Sequence, residues 1–355
     1  MYPNFFNSFS LVARILKRKW DVFPIITQNR NPVMIKNRIA QTFYVFLFFF
    51  LIQPGTSMAK EPYFGISKPP KGSYPILPFT EALAVSTVQI QVELNKDNAT
   101  GTGTDYFTGT GFFFSFFLED KENIPVIVTN KHVVAGAKKG SFILTNTNDD
   151  GTPNTTSHIL VSLDSFESRW IAHPDSTIDL AIMPIAPLIN EAISKGFTPF
   201  FRTLNKSLIP TNEQLKELTA VEDVLMVGYP IGISDRTNNY PIFRKGITAT
   251  HPAIKYEGRD EFMIDAACFP GSSGSPVFLL NIGGYVTKAG TNVFGIDRLF
   301  FIGILYAGPQ YTATGEIKIV TIPDRQSTST QTYIPINLGN VIRSSKLIDF
   351  ENVLK

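Results

Sequence analysis

Two-residue alternation and short apolar runs dominate this chain, and helical periodicity is scarce. Val88-Gln89-Ile90-Gln91-Val92-Glu93-Leu94 sets apolar and polar side chains in turn, the pattern of a strand with one wet face. Buried strands are predicted over 111–117, 126–129, 142–144, 158–163 and 180–185. A second set is predicted over 224–228, 246–250, 262–264, 276–280 and 299–306. Clusters of Gly, Pro, Asn and Asp separate them, as turns require. Helix is expected near 189–195, after Thr211, where Gln214 completes a capping box, and along an amphipathic end at 338–354. Two groups of short strands predict an all-β fold, a sandwich or paired barrels, with 195–221 as the connection. The lobes are placed at 60–205 and 206–355.

Residues 1–59 read differently. Lys36 and Arg38 form a cationic start, 43–52 is an apolar run, Pro54-Gly55 breaks it, and Ser57-Met58-Ala59 presents small residues at a cleavage site. That order is a secretory signal, with Met34 as its start, residues 1–33 an over-extension, and cleavage after Ala59. The run is shorter than the roughly 20 residues of a membrane span; an uncleaved anchor through 43–52 is the alternative. The body is therefore expected outside the cytoplasm, periplasmic or extracellular. The first 59 residues hold seven Lys/Arg and one Asp; the remaining 25 basic and 29 acidic side chains leave about −4. No clustered basic patch points to nucleic acid. Cys268 is the sole cysteine, which excludes an intramolecular disulfide, and its apolar surroundings suit a buried thiol better than a nucleophile.

Candidate chemistry sits in three segments. Phe269-Pro270-Gly271-Ser272-Ser273-Gly274-Ser275-Pro276 sets a serine in a glycine-lined turn before an apolar strand. Glycines let backbone N–H groups approach a substrate carbonyl closely. Thr129-Asn130-Lys131-His132-Val133-Val134 supplies an imidazole at a strand end, and Ile178-Asp179-Leu180 a carboxylate heading a buried strand. A serine attacks an amide only when an imidazole takes its proton, and a carboxylate holds that imidazole in the right tautomer. Ser273 is thus the candidate nucleophile, His132 the base and Asp179 the orienting acid, with Asp175 close by as the rival carboxylate. The N–H groups of Gly271 and Ser273 are the candidate oxyanion hole. His158, His173 and His251 show no metal-ligand spacing, and Asn146 to Gly151 lacks the final glutamate of a calcium loop. Neither a metal nor a cofactor is called for.

These segments resemble the trypsin-like (chymotrypsin-fold) serine peptidases, in particular a bacterial branch that includes glutamyl endopeptidases. Gly109-Thr110-Gly111-Phe112-Phe113 is similar to a strand of that branch, Thr129 to Val134 to its histidine motif, and Ser273-Gly274-Ser275-Pro276 to its serine motif. Gly228-Tyr229-Pro230 is similar too, and the match spans roughly 86–308. The resemblance implies two six-stranded antiparallel β-barrels with the active site between them, to which the amphipathic pattern at 338–354 adds a short C-terminal helix. It implies a serine endopeptidase acting through an acyl-enzyme on protein or peptide substrates, as a monomer with no stable membrane partner once the leader is removed. Departures bear on activation and specificity. Ser272 stands where many relatives have Asp. Leu305 occupies the place of the glutamyl-specific histidine within Gly303-Ile304-Leu305-Tyr306-Ala307-Gly308, and Ala267 the place of the trypsin acid, with Asp265 out of register. Ala267, Leu305, Tyr306 and Gly308 are therefore expected to line an apolar or small substrate pocket.

Rival functions lack their own signals. An α/β-hydrolase needs a histidine after its serine, and none occurs beyond Ser273. Subtilisin-type order puts Asp before His. Only 82 residues lie beyond Ser273, too few for a second barrel and an added peptide-binding domain. The remaining alternative is a catalytically silent peptidase-fold binding protein.

Overall fold

The computed structural model describes residues 77–95, 104–118, 123–317 and 328–355. The expected leader and its cleavage point lie outside the described residues.

Nine strands make one antiparallel-dominated sheet: β1 (Thr87–Asn95), β2 (Thr104–Phe116), β3 (Ile124–Thr129), β4 (Lys139–Thr147), β5 (Pro153–Asp164), β6 (Ile171–Ala172), β7 (Ala181–Pro184), β8 (Pro199–Phe200) and β9 (Leu204–Asn205). Their order is β5-β4-β1-β2-β3-β7-β6, with β8 on β4 and β9 parallel to β2. The six-stranded barrel expected here is not confirmed by this pairing order. The edges β5 and β6 do not pair, and β6, only two residues long, offers little to close upon.

The second lobe holds β10 (Asp223–Gly228), β11 (Ile242–Thr248), β12 (Glu261–Asp265), β13 (Pro276–Asn281), β14 (Gly284–Val286), β15 (Asn292–Phe294), β16 (Arg298–Ala307), β17 (Gln310–Ile317), β18 (Thr328–Pro335) and β19 (Leu338–Arg343). Six of these close a barrel in the order β10-β11-β12-β19-β16-β13, while β14–β15 and β17–β18 are separate hairpins. The predicted amphipathic helix at 338–354 is thus partly a strand. Val341 and Ile342 are β-branched and buried, and β19 bridges β12 to β16. After β19 the chain turns through a 3₁₀ segment, Ser344–Phe350, into one helical turn.

Helices are brief: α1 (Phe79–Ala84), α2 (Lys131–Val134), α3 (Ala186–Ser194), α4 (Asn212–Lys216) and α5 (Glu351–Leu354). Thr211 and Gln214 form the reciprocal capping box that starts α4.

Alternation along the strands makes three apolar layers. Phe113, Ile127 and Met183 fill the first lobe, and Val224, Ile264 and Val277 fill the barrel. The opposite faces meet between the lobes, where Phe112 and Phe114 of β2 pack with Phe278, Phe301 and Ile304. Phe112 and Phe301 meet edge-to-face at 5.3 Å between centroids. Leu347 and Phe350 of the C-terminal segment join this layer. Burying large aromatics of both lobes in one seam fixes the lobes against each other, and hence whatever chemistry lies at their junction.

Candidate active site

The histidine turn is built by burial. Val133 and Val134 go into the first-lobe core and Asn130 is fully buried, which leaves His132 facing outward with its side chain 49% exposed. Asp179 lies between buried Ile178 and Leu180. Its Oδ1 accepts the His132 backbone N–H at 3.1 Å, and its Oδ2 lies 2.5 Å from His132 Nδ1. An ionised carboxylate only accepts, so Nδ1 carries the proton and Nε2 is the basic nitrogen. Nε2 has no hydrogen-bond partner among the described residues. Asn130 Nδ2 donates to the Asp179 carbonyl at 2.8 Å, and Lys131 Nζ to the Ser176 carbonyl at 3.0 Å, tying the loop to the turn. Asp175 does something else. It accepts from the Thr177 hydroxyl and N–H, which hold its carboxyl below the ordinary value.

The serine turn hangs from the barrel. Gly274 N–H donates to the Leu305 carbonyl at 2.8 Å, and Leu305 N–H to the Ser275 carbonyl at 3.0 Å. Gly271 and Gly274 have φ of +86° and +88°, the left-handed region that side chains disfavour. A Cβ on Gly274 would overlap the Thr110 carbonyl and crowd Thr129 Oγ1. The residue after Ser273 therefore packs directly on the end of β3, three positions before His132. Ser273 Oγ donates to the Tyr306 carbonyl at 3.4 Å. The N–H groups of Gly271 and Ser273 donate no hydrogen bond among the described residues. Ser272 and Ser275 bury hydroxyls without a partner there.

The expected pocket residues are placed unequally. Leu305 is 3% exposed and its side chain joins the barrel core, so its backbone alone faces the serine turn. Tyr306 is half-buried, with its hydroxyl donating to Glu261 Oε2 at 2.9 Å; burial first, then Glu261, push that phenol's pKa up. Gly308 is exposed beside the Leu338 carbonyl, and Ala267 is half-buried. Cys268 is buried in the barrel core.

Sequence reading missed three contributors. Asn130 holds the Asp179 loop, Thr129 binds the Thr110 carbonyl at 2.7 Å, and Thr110 touches the serine turn itself. A hydroxyl wedged between two glycines in an apolar run was the available signal for Thr110. Among the described residues, no group of three or more His, Cys, Asp or Glu side chains is arranged to hold a metal ion.

A family model of the trypsin-like peptidase domain matches residues 109–286, half of the chain. The chain belongs to the trypsin-like peptidase family. The matched span of this peptidase contains the β2 motif, His132, Asp179 and Ser273. Among solved structures it is similar to AL20, a thermostable serine protease from an extremophilic microorganism. That alignment is 12% identical, covers 77% of this chain and 98% of that one, and has a TM-score of 0.37. No curated protein sequence matches it.

Proposed function

We propose that this trypsin-like peptidase is an exported serine endopeptidase, with Ser273 as nucleophile, His132 as general base and then acid, and Asp179 as the orienting carboxylate. The observation that carries the reading is the double grip of Asp179 on His132, which leaves Nε2 without a hydrogen-bond partner among the described residues. In the reaction Ser273 Oγ gives up its contact with the Tyr306 carbonyl and hydrogen-bonds the imidazole instead. Nε2 takes the proton as Oγ attacks the peptide carbonyl. The oxyanion is received by the N–H groups of Gly271 and Ser273, each such donor being worth about 3 kcal/mol of barrier. His132, now cationic and stabilised by Asp179, protonates the leaving amine, and water then hydrolyses the acyl-enzyme by the same route. Export is supported by the cationic start at Lys36 and Arg38, the apolar run at 43–52 and the small residues ending at Ala59. The motifs at 109–113 and 273–276 favour the bacterial branch.

A fluorophosphonate probe tests the chemistry. Labelling at Ser273, abolished in Ser273→Ala and strongly slowed in His132→Ala, is the expected result. A folded, unlabelled wild type would overturn it and favour a silent binding protein. Sequencing the exported form tests the leader, with Lys60 the expected first residue.

A further inference from the structure

We propose that Thr110 is a positioning residue that aims the oxyanion-binding N–H groups of Gly271 and Ser273; the assignment rests on the serine mechanism above. Thr110 is fully buried and every polar atom it has is engaged. Its N–H donates to the Ser273 carbonyl at 2.8 Å, and its hydroxyl donates to the Gly271 carbonyl at 3.0 Å. The same hydroxyl accepts the Tyr229 N–H at 3.0 Å, and the Thr110 carbonyl accepts the Thr129 hydroxyl at 2.7 Å. One residue of the first lobe thereby joins the serine turn, the Tyr229–Gly232 turn and the strand end that leads to His132.

Peptide planarity explains what this joining accomplishes. A trans peptide points its carbonyl and its N–H in opposite directions, so fixing one aims the other. The N–H of Gly271 shares a peptide with the Pro270 carbonyl, which Ile231 N–H holds at 2.6 Å. The N–H of Ser273 shares one with the Ser272 carbonyl, which Ser275 N–H holds at 3.0 Å. Between these two peptides lies Gly271–Ser272, pivoting on a glycine with no side chain to limit it. The Thr110 hydroxyl grips the carbonyl of that middle peptide, and through Tyr229 it also steadies the turn that presents Ile231. Close packing reserves its place, since a Cβ on Gly228 would come within 2.7 Å of that hydroxyl oxygen.

Thr110→Val keeps the shape and removes the hydroxyl, whereas Thr110→Ser keeps the hydroxyl. The readouts are the second-order rate of Ser273 labelling by the fluorophosphonate, its pH profile, and thermal unfolding. Full loss of one oxyanion donor costs about 10²–10³ in rate, so Thr110→Val is expected to label roughly 30-fold or more slowly than wild type. Its labelling is measured well below its melting temperature, where a merely structural role leaves the rate alone. The acid limb of the profile should stay in place, because the His132–Asp179 pair is untouched. Thr110→Ser should label within about threefold of wild type. Labelling of Thr110→Val at the wild-type rate, a displaced acid limb, or an equal loss in Thr110→Ser would overturn the assignment while the serine mechanism stands. Should Thr110→Val fail to fold, the serine variant decides: slow labelling by a folded Thr110→Ser defeats the proposal. An unlabelled wild type defeats the mechanism and this assignment together.

Discussion

Asp179 grips His132 through both carboxylate oxygens, Oδ1 on the backbone N–H at 3.1 Å and Oδ2 beside Nδ1 at 2.5 Å. One contact fixes where the histidine sits, and the other fixes the plane and tautomer of its ring. A half-exposed imidazole would otherwise sample several rotamers. The grip is itself held, because Asn130 binds the Asp179 carbonyl and Ile178 and Leu180 bury the flanks.

Asp179→Asn should therefore lower kcat by about 10³–10⁴-fold with the thermal midpoint little changed, since an amide favours the wrong imidazole tautomer. Asp175→Asn is the matched control. Its carboxylate serves a local turn with Thr177, and a change of no more than a few-fold is expected. Steady-state kinetics on both variants check the pair, and equal losses would assign the orienting role wrongly.

Gly274 offers a steric test of the lobe junction. Its φ is +88°, and a Cβ would overlap the Thr110 carbonyl and crowd Thr129 Oγ1. Gly283 shares the positive φ, at +78°, but nothing lies within 4 Å of its would-be Cβ. Gly274→Ala is expected to abolish Ser273 labelling and lower the melting temperature, whereas Gly283→Ala should cost about 1 kcal/mol of backbone strain or less and leave labelling intact. Comparable labelling by the two variants would contradict the junction as described.

How far the sequence disclosed this arrangement depends on the range of the interaction. His132, Asp179 and Ser273 lie in segments whose glycines, apolar flanks and chain order are visible locally, and the Thr211–Gln214 cap is a four-residue signal. Thr110 is different, because its hydroxyl finds Gly271 from 161 positions away and no local pattern encodes that contact. Leu305 was expected at a pocket from the resemblance, yet its side chain lies in the barrel core with Ile302, on the face opposite Ile304 and Tyr306. A register shift of β16 against β13, between the partners of Val277 and Phe278, interrupts the two-residue alternation just before it. The stretch 338–343 fits one face of a helix as well as a strand, and only the open edges of β12 and β16 decide for the strand. The two-residue strands β6, β8 and β9 are too short to carry any period, so the pattern does not reveal how this sheet ends.

Glu222, just before β10, and Arg298, at the start of β16, form a buried ion pair, with side chains 6% and 9% exposed and Nη2 at 2.5 Å from Oε2. Thr219 satisfies the other carboxylate oxygen, Asn281 accepts from Arg298 Nε at 2.9 Å, and the guanidinium lies over Tyr285 at 4.2 Å. Removing one partner leaves an unpaired buried charge, so Arg298→Met should cost about 3–5 kcal/mol. The double variant Arg298→Met with Glu222→Leu should recover part of that loss. Urea unfolding of the single and double variants measures the difference, and a double variant weaker than the sum of the singles would refute the account.

Cys268 gives the alkaline counterpart. Burial pushes its thiol up to about 11; Arg244 opposes the shift and Asp265 adds to it. A thiol that holds its proton longer in the fold stabilises the protein fully below its unfolded value of 9.0, and that contribution fades as pH rises from there through about 11. Two units correspond to about 2–3 kcal/mol at the far end of the window. Wild type should thus lose stability between pH 9 and 11 more steeply than Cys268→Ala, as urea titrations at stepped pH would show. At pH 8 the thiolate fraction is about 100-fold lower in the fold than in the unfolded chain, so iodoacetamide should modify native Cys268 at least that much more slowly. Fast native alkylation, with Ser273 left unlabelled by fluorophosphonate, would instead make the thiol the reactive group of this turn.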